Sequence, residues 1–302
     1  AWTVCVAGPL LCGGRIVIQA VYQFKAAMRL VKQYGGTMFT GVAAVYRLLH
    51  ESRDLDSVDS VRYFISGGAP LGLDLARGFA LKFGRPVLEG YGLSEASPVV
   101  SVNLPHKVKV GSIGPTIAHV KAKIINAHGE EVPHFERGEL LVKGPNVMLG
   151  YLNLPDATAK AIEKDGWLHT GDVGYMDEDG FIFLVDRVKD MIISSGENVY
   201  PREIEEVVSA YPGVAECSVI GIPDALRGQA ICLYVVPREG ETIDKKALRQ
   251  YLIGRIAPYK VPREYFLVES LPKTALGKVR KNVLRDETVA ILSKNKFAGR
   301  AL

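Results

Sequence analysis

The chain has 302 residues, with 37 Lys/Arg against 33 Asp/Glu for a net charge of +4, and 48% of its residues are hydrophobic. Such a composition supports a folded core and excludes disorder as the main state. At about 150 residues per domain, the length favours two domains. The charge is uneven. Residues 272–302 hold eight cations (Lys273, Lys278, Arg280, Lys281, Arg285, Lys294, Lys296, Arg300) against Asp286 and Glu287, so this tail carries +6 and the rest −2. A basic tail suits a phosphate-rich ligand, with a solvated helix face as its plain rival. No nucleic-acid motif accompanies it, so nucleic acid is not an expected partner.

Residues 1–14 are uncharged and apolar but are broken by Pro9, Gly13 and Gly14. They are too short to span a bilayer and lack a basic leader, so they read as core rather than as a signal peptide. Residues 15–18 read as a short buried strand. Phe24, Ala27, Met28 and Val31 fall at helical spacing, and Gly35-Gly36 stops that helix. Residues 37–40 are strand-like, 42–51 helical, 61–66 strand-like, 73–83 helical and 86–90 strand-like again. This alternation predicts an α/β unit built on a parallel sheet, with ligands beyond the carboxyl ends of its strands. Residues 106–186 differ, with short β-rich runs (119–126, 139–143, 181–185) divided by His128-Gly129 and Asp179-Gly180. They predict a small β-barrel or antiparallel sheet. From Asp190 a small α+β unit follows. A helix starts at Pro201, a favoured first helical position; strands fall at 215–221 and 230–236, a helix at 245–256 and a strand at 265–268.

The four cysteines, Cys5, Cys12, Cys217 and Cys232, form no CxxC pair and no zinc-type Cys/His spacing. They read as buried free thiols in a reducing compartment, hence a cytoplasmic location.

Four motifs carry candidate chemistry. At the predicted ligand edge stands Gly90-Tyr91-Gly92-Leu93-Ser94-Glu95. A hydroxyl beside a carboxylate there can serve a phosphate and a divalent ion, and Tyr91 can stack on a base; an ordinary glycine loop is the plain alternative. The same residues approach the G-x-S-x-G elbow of serine hydrolases, but an elbow must run into a helix and Ser97-Pro98-Val99-Val100 follows instead. Gly166-Trp167-Leu168-His169-Thr170-Gly171-Asp172 ends in a carboxylate that is either a turn residue or an acceptor for ribose hydroxyls. Asp177-Glu178-Asp179-Gly180 reads as a hairpin turn rather than a calcium loop, because its glycine comes too early. Asp186-Arg187-Val188-Lys189-Asp190 sits at a composition boundary, which favours a hinge. Pro272-Lys273-Thr274-Ala275-Leu276-Gly277-Lys278 is no Walker A motif, yet a flexible Gly-Lys tip can deliver a point charge to a reacting phosphate.

Taken together, in this order and spacing, these motifs resemble the acyl-adenylate-forming (AMP-binding) superfamily, over nearly the whole chain. Tyr91-Gly92-Leu93-Ser94-Glu95 and Asp186-Arg187-Val188-Lys189-Asp190-Met191-Ile192 are similar to its long-chain fatty-acid–CoA ligase branch. The resemblance implies an ATP- and Mg2+-dependent ligase that activates a carboxylic acid as acyl-AMP and passes the acyl group to coenzyme A. It implies an adenine wall from Gly67, Gly68 and Ala69 with Tyr91, and places Gly92 among the nucleotide-binding residues. Ser94 stands where the family more often has Thr, at the α-phosphate, and Glu95 where it has its Mg2+ ligand. Asp172 takes the ribose acceptor's place, assisted by Arg187. Lys189 takes the hinge position, Gly196 that of the pantetheine-tunnel glycine, and Lys278 that of the adenylation lysine.

One departure is large. The family's Ser/Thr/Gly-rich phosphate loop is not found in these residues, and the first residue is Ala1 rather than Met. The expectation is therefore the later part of the large domain (1–188, sheet 1–105 and barrel 106–188) followed by a complete small domain (189–302). The implied partners are a carboxylic acid, chiefly a fatty acid, with ATP and CoA. Aryl-CoA ligase, carrier-protein-directed ligase and a catalytically incompetent nucleotide-binding or assembly piece remain alternatives. Peripheral membrane contact and homo-oligomers are compatible with the sequence.

Overall fold

The computed structural model describes residues 2–53, 58–274 and 278–298, with side chains through Ile291. The chain divides into two compact units, Ala1–Leu184 and Val185–Leu302.

The first unit begins with a π-helical turn, Trp2–Ala7, and a short helix α1 (Gly8–Leu11), neither with a buried residue. This corrects the reading of residues 1–14 as core: Trp2 is 74% exposed and Leu11 88%. No strand forms at residues 15–18 either, and Val17 and Ile18 are exposed. Among the described residues these apolar side chains find no sheet to join, and an apolar run without a partner strand gains nothing from extending.

Periodicity succeeds where helices close on a sheet. Helix α2 (Phe24–Tyr34) ends at Gly35, whose φ of 60° is the left-handed cap that glycine adopts without steric cost. Strand β1 (Met38–Gly41), α3 (Ala43–Glu51), β2 (Tyr63–Ser66), α4 (Leu73–Phe83) and β3 (Val87–Gly92) follow. The strands β1, β2 and β3 pair in parallel, and β4 (Val99–Val102) adds antiparallel to β3. Tyr46, Phe64 and Phe79, all fully buried, anchor this core. The Phe64 and Phe79 rings meet edge to face at 5.0 Å, Tyr46 and Phe79 at 5.5 Å, geometries that suit the ring quadrupoles. The Tyr46 hydroxyl donates to Phe39 O (2.9 Å) and Ile65 O (2.7 Å). It thereby satisfies its polar end inside the core, and burial pushes its pKa far up.

Strands β5 (Lys121–Ile125), β6 (Gly138–Lys143), β7 (Leu168–Met176) and β8 (Ile182–Arg187) form a second sheet in that order. Helix α5 (Pro155–Ala161) lies in the β6–β7 connection. The pairs β5/β6 and β6/β7 are antiparallel. This corrects the barrel: β5 and β8 are opposite edges of an open sheet. Four strands are too few to close a circumference, and the small partly open barrels already take about five. The turn at 177–180 is a hairpin, as read: Asp177 Oδ1 accepts N–H groups from Asp179 (3.1 Å) and Phe181 (2.9 Å). Lys109 pins it through ion pairs with Asp177 and with Asp179, the latter at 2.7 Å.

In the second unit, the order is β10–β9–β12–β11, with β13 beside β12. The strands are β9 (Ile192–Ser194), β10 (Glu197–Val199), β11 (Val214–Asp224), β12 (Gly228–Pro237) and β13 (Glu264–Leu267); the helices are α6 (Pro201–Ser209), α7 (Lys245–Leu252) and α8 (Lys281–Ala298). Alternate residues of β11 and β12 enter different cores. Val219, Ile231, Leu233 and Val235 pack with Ile204 of α6 and Leu248 of α7. Ile220, Cys232 and Tyr234 pack with Leu284 of α8. A sheet covered on both faces explains why these strands are hydrophobic without alternation. The basic tail is partly neutralised: Lys273 pairs with Glu216 (2.7 Å), Lys281 with Glu205 (2.9 Å) and Arg285 with Asp190 (2.8 Å). The side chains of Lys294, Lys296 and Arg300 lie outside the described residues.

The thiol expectation is corrected in part. All four cysteines are free, but only Cys232 is buried, Cys5 and Cys217 are half-buried and Cys12 is exposed. Burial pushes the Cys217 and Cys232 thiols up to about 12. Among the described residues no helix is long and apolar enough to cross a membrane.

Burial raises the Asp177 pKa, but the Lys109 ammonium and the two backbone N–H groups outweigh it and leave the carboxyl below its ordinary value of 3.8. A lowered pKa stabilises the fold above the unfolded value, and that contribution is lost as pH falls through the folded one. Asp177→Asn keeps the turn's acceptor and removes the charge. Its urea midpoint should fall below wild type from neutral pH down to about pH 4, and the gap should close as pH falls further, through the lowered folded-state pKa.

Candidate functional site

Parallel pairing sets β2 and β3 so that their carboxyl ends lie together, with Ser66 opposite Glu89. Gly67, Gly68 and Ala69 leave β2 there, and a Cβ on Gly67 would stand 3.5 Å from Gly90 O. The expected adenine-wall residues on the two strands are thus neighbours. Ser66 Oγ, fully buried beside them, has no hydrogen-bond partner among the described residues. Tyr91 and Gly92 are the last two residues of β3, and a Cβ on Gly92 would fall 1.9 Å from Pro98 O. Only glycine permits that approach, so this glycine is fixed by the path of its own loop.

Ser94 and Glu95 lie on a single 3₁₀ turn, Ser94–Ala96, after which the chain enters β4. The helix that a hydrolase elbow requires is not formed, which removes that rival. Ser94 is exposed, and Glu95 half-buried. A segment that the sequence reading passed over clamps this turn. Asn146 Nδ2 donates to Ala96 O (3.0 Å) and Val99 O (2.9 Å). The Met148 N–H donates to Glu95 O (2.8 Å), and the Tyr151 hydroxyl to Glu95 Oε1 (2.8 Å). That hydrogen bond to Glu95 raises the Tyr151 pKa. The available signal was faint: Gly144-Pro145-Asn146 is a turn sequence, and nothing local links it to Glu95.

Asp172 lies within β7, at the sequence position read as a ribose acceptor. The Tyr91 hydroxyl donates to Asp172 Oδ2 at 2.5 Å across 81 positions of sequence. The structure therefore brings together the sheet edge (Gly67, Gly68, Ala69, Tyr91, Gly92), the Ser94-Glu95 turn and Asp172, all in the first unit. An aromatic face, backbone at a glycine-rich edge and a carboxylate form an arrangement able to hold a nucleoside. No group of three or more His, Cys, Asp or Glu suited to a metal occurs among the described residues.

The remaining expected residues belong to the second unit. Arg187 ends β8 and Lys189 lies on a 3₁₀ turn, Val188–Asp190, both exposed. Asp190 of that turn is tied to α8 through Arg285. Gly196 forms the β9–β10 turn with Ser195, at φ of 85° and 55°. Two left-handed residues in a two-residue hairpin match the type that favours glycine, and a Cβ on Gly196 would meet nothing within 4 Å. The turn thus supplies its own reason for this glycine, separate from a tunnel. Lys278 is exposed, and its N–H donates to Thr274 Oγ1 (3.2 Å) beside the bridge Lys273–Val279. Residues 275–277, the expected flexible tip, lie outside the described residues.

Against this geometry stand the comparisons. The model of the AMP-binding enzyme family matches residues 1–152, and that of the AMP-binding enzyme C-terminal domain residues 203–278. The chain is 42% identical over 266 residues to a long-chain-fatty-acid–CoA ligase of Bacillus subtilis, covering 86% of this chain and 47% of the relative. It is 40% identical over 280 residues to a feruloyl-CoA synthase of Amycolatopsis, covering 91% and 57%. Among solved structures it resembles ATP-bound MatB from Rhodopseudomonas palustris, with a TM-score of 0.88 and 36% identity over 94% of this chain and 57% of that one. It also resembles O-succinylbenzoate CoA synthetase of Bacillus subtilis in complex with ATP and magnesium, with a TM-score of 0.82 and 33% identity over 89% and 56%. The chain spans about half the length of the curated relatives it matches.

The clamp on Glu95 can be tested directly. Asn146→Ala removes the hydrogen bonds to the Ala96 and Val99 carbonyls, which should cost about 1–3 kcal/mol of stability in urea unfolding. Asn146→Ser, which keeps one donor, should lose less.

Proposed function

Because the chain belongs to the AMP-binding enzyme family, we propose that it carries nucleotide-binding residues of an ATP- and Mg2+-dependent acid–thiol ligase. The reaction has two halves. A carboxylate oxygen of the acid attacks the α-phosphorus of ATP; a P–O bond forms, and pyrophosphate leaves with the electrons of the bond that breaks. The thiolate of coenzyme A then attacks the acyl carbon of the acyl-AMP; a C–S bond forms and AMP leaves. A carboxylate is a poor electrophile, and adenylation supplies its leaving group. Chemistry of this kind depends on positioning and on charge stabilisation.

One observation carries this reading. The hydrogen bond from Tyr91 to Asp172 joins the glycine-rich edge to a carboxylate suited to a ribose diol. Adenine then lies on Tyr91 against Gly67, Gly68, Ala69 and Gly92, and Asp172 accepts from the ribose hydroxyls. The Ser94 hydroxyl donates to an α-phosphate oxygen. Glu95 fits Mg2+, which binds through one or two carboxylates and completes its shell with phosphate oxygens and water. When bound, the ion neutralises charge on the phosphates. Arg187, Lys189, Gly196 and Lys278 take their roles from their match to the family's motifs: ribose assistance, pivot, thiol passage and adenylation cation. A cytoplasmic location belongs to the same reading, since ATP and CoA are its substrates.

A fatty acid is the preferred substrate class, supported by the relatives named long-chain-fatty-acid–CoA ligase at 38–42% identity. An aryl acid is the second reading, supported by feruloyl-CoA synthase at 40%.

ATP–pyrophosphate exchange with a panel of fatty and aryl acids separates the readings. Exchange strongest with fatty acids is expected, and strongest with aryl acids would overturn the substrate class. No exchange with any acid would favour a nucleotide-binding piece without turnover. Lys278→Ala should cut exchange by about 100-fold while sparing thioester formation from supplied acyl-AMP. Equal losses in both halves would remove Lys278 from adenylation.

A further inference from the structure

Strand β7 departs from regular pairing at the residue on which the site depends. Glu139 stands opposite Val173, and Leu141 opposite His169, so the register shifts between them. Thr170, Gly171 and Asp172 on β7 therefore face Leu140 alone on β6. Extra residues in one strand lose their ladder partners, and bulges of this kind re-aim side chains beside functional sites. The orphaned backbone must be satisfied by other means.

Side chains do this. Glu139 Oε1 accepts the Gly171 N–H at 3.1 Å. The Thr170 hydroxyl donates to Leu140 O at 2.7 Å and accepts the Asp172 N–H at 3.1 Å. The second Glu139 oxygen is itself held, with Oε2 3.0 Å from His169 Nδ1. His169 Nε2 lies 3.1 Å from Glu163 Oε1. The chain of contacts runs from the loop before β7, through the imidazole, to the Glu139 carboxylate and the bulge. Gly171 adopts φ of 69° there, a left-handed conformation that an unsupported strand would not keep.

We propose that Glu139 and Thr170 are positioning residues that hold this bulge and so present the Asp172 carboxylate to the nucleotide ribose. The inference rests on the reading of Asp172 as the ribose acceptor. Glu139 acts through the Gly171 N–H that the strand pairing has abandoned, and touches no substrate. Its carboxylate does for Gly171 what a neighbouring strand would otherwise do.

The test compares binding of AMP with binding of 2′,3′-dideoxy-AMP, which lacks both hydroxyls, by titration calorimetry on the folded chain. Wild type should prefer AMP. Glu139→Ala should lose AMP affinity by about tenfold, the worth of one charge-assisted hydrogen bond, and bind the dideoxy nucleotide as before. Glu139→Gln retains an acceptor for Gly171 and should restore most of the preference. Thr170→Val, a smaller change that frees the Asp172 N–H, should reduce the preference as well and serves where Glu139→Ala does not fold. A merely structural role would weaken both nucleotides equally. An unchanged AMP preference in the folded variants would overturn the proposal. If wild type binds both nucleotides equally, the ribose reading of Asp172 fails and the inference falls with it; if it binds neither, the nucleotide reading of the site fails.

Discussion

The hydrogen bond between the Tyr91 hydroxyl and the Asp172 carboxylate ties the end of a mostly parallel sheet to an inner strand of an antiparallel one. Both partners must be delivered accurately. Tyr91 arrives because β3 pairs in parallel with β2, which sets its carboxyl end beside the Gly67–Gly68 exit. Asp172 arrives because β7 bulges against β6. A charge-assisted bond of this kind is short and directional, so the geometry of both sheets converges on it. The aromatic core of Tyr46, Phe64 and Phe79 stiffens one side, and the cluster around Leu140, Val142 and Leu168 stiffens the other.

Around that bond the irregular backbone is densely satisfied. The Ser94–Ala96 turn closes on itself through the Ala96 N–H to Leu93 O and the Ser97 N–H to Ser94 O, and Asn146, Met148 and Tyr151 add contacts to it from the connection after β6. The bulge in β7 is held in the same manner by Glu139 and Thr170. In both places polar side chains replace missing ladder bonds, which keeps functional residues rigid in non-repetitive conformations. Gly92 belongs to this economy through sterics alone, since the Pro98 carbonyl occupies the space of its Cβ.

The second unit shows how charge arithmetic acquires meaning from packing. A +6 tail read by itself points to phosphate or solvent. Three of its cations instead meet Glu216, Glu205 and Asp190 within the unit. Arg285 and Lys281 thereby fasten α8 while Leu284 and Thr288 enter the core beside Tyr234. These two ion pairs are half-buried, so desolvation offsets part of their Coulomb attraction, while Leu284 and Thr288 are buried outright.

Much was legible in the sequence. Helical spacing located α2, with Gly35-Gly36 as its stop, and α4; Pro201 marked the start of α6, and the β11 and β12 runs were recognised as strands. The motifs also identified Tyr91, Ser94, Glu95, Asp172 and Lys278 as residues worth naming. These signals are local: periodicity, turn stereochemistry and capping act over a few neighbouring residues. Residues 1–18 misled for the same reason, because an apolar run does not reveal what will cover it. The barrel misled because three β-rich runs do not say whether the first and last strands meet. Tertiary structure alone decided that Tyr91 reaches Asp172, that Asn146 clamps the loop of Glu95, and that Glu139 caps Gly171 across 32 positions. Each of these contacts exists only after strands choose a partner and a register, and a single residue's worth of register turns a side chain to the other face.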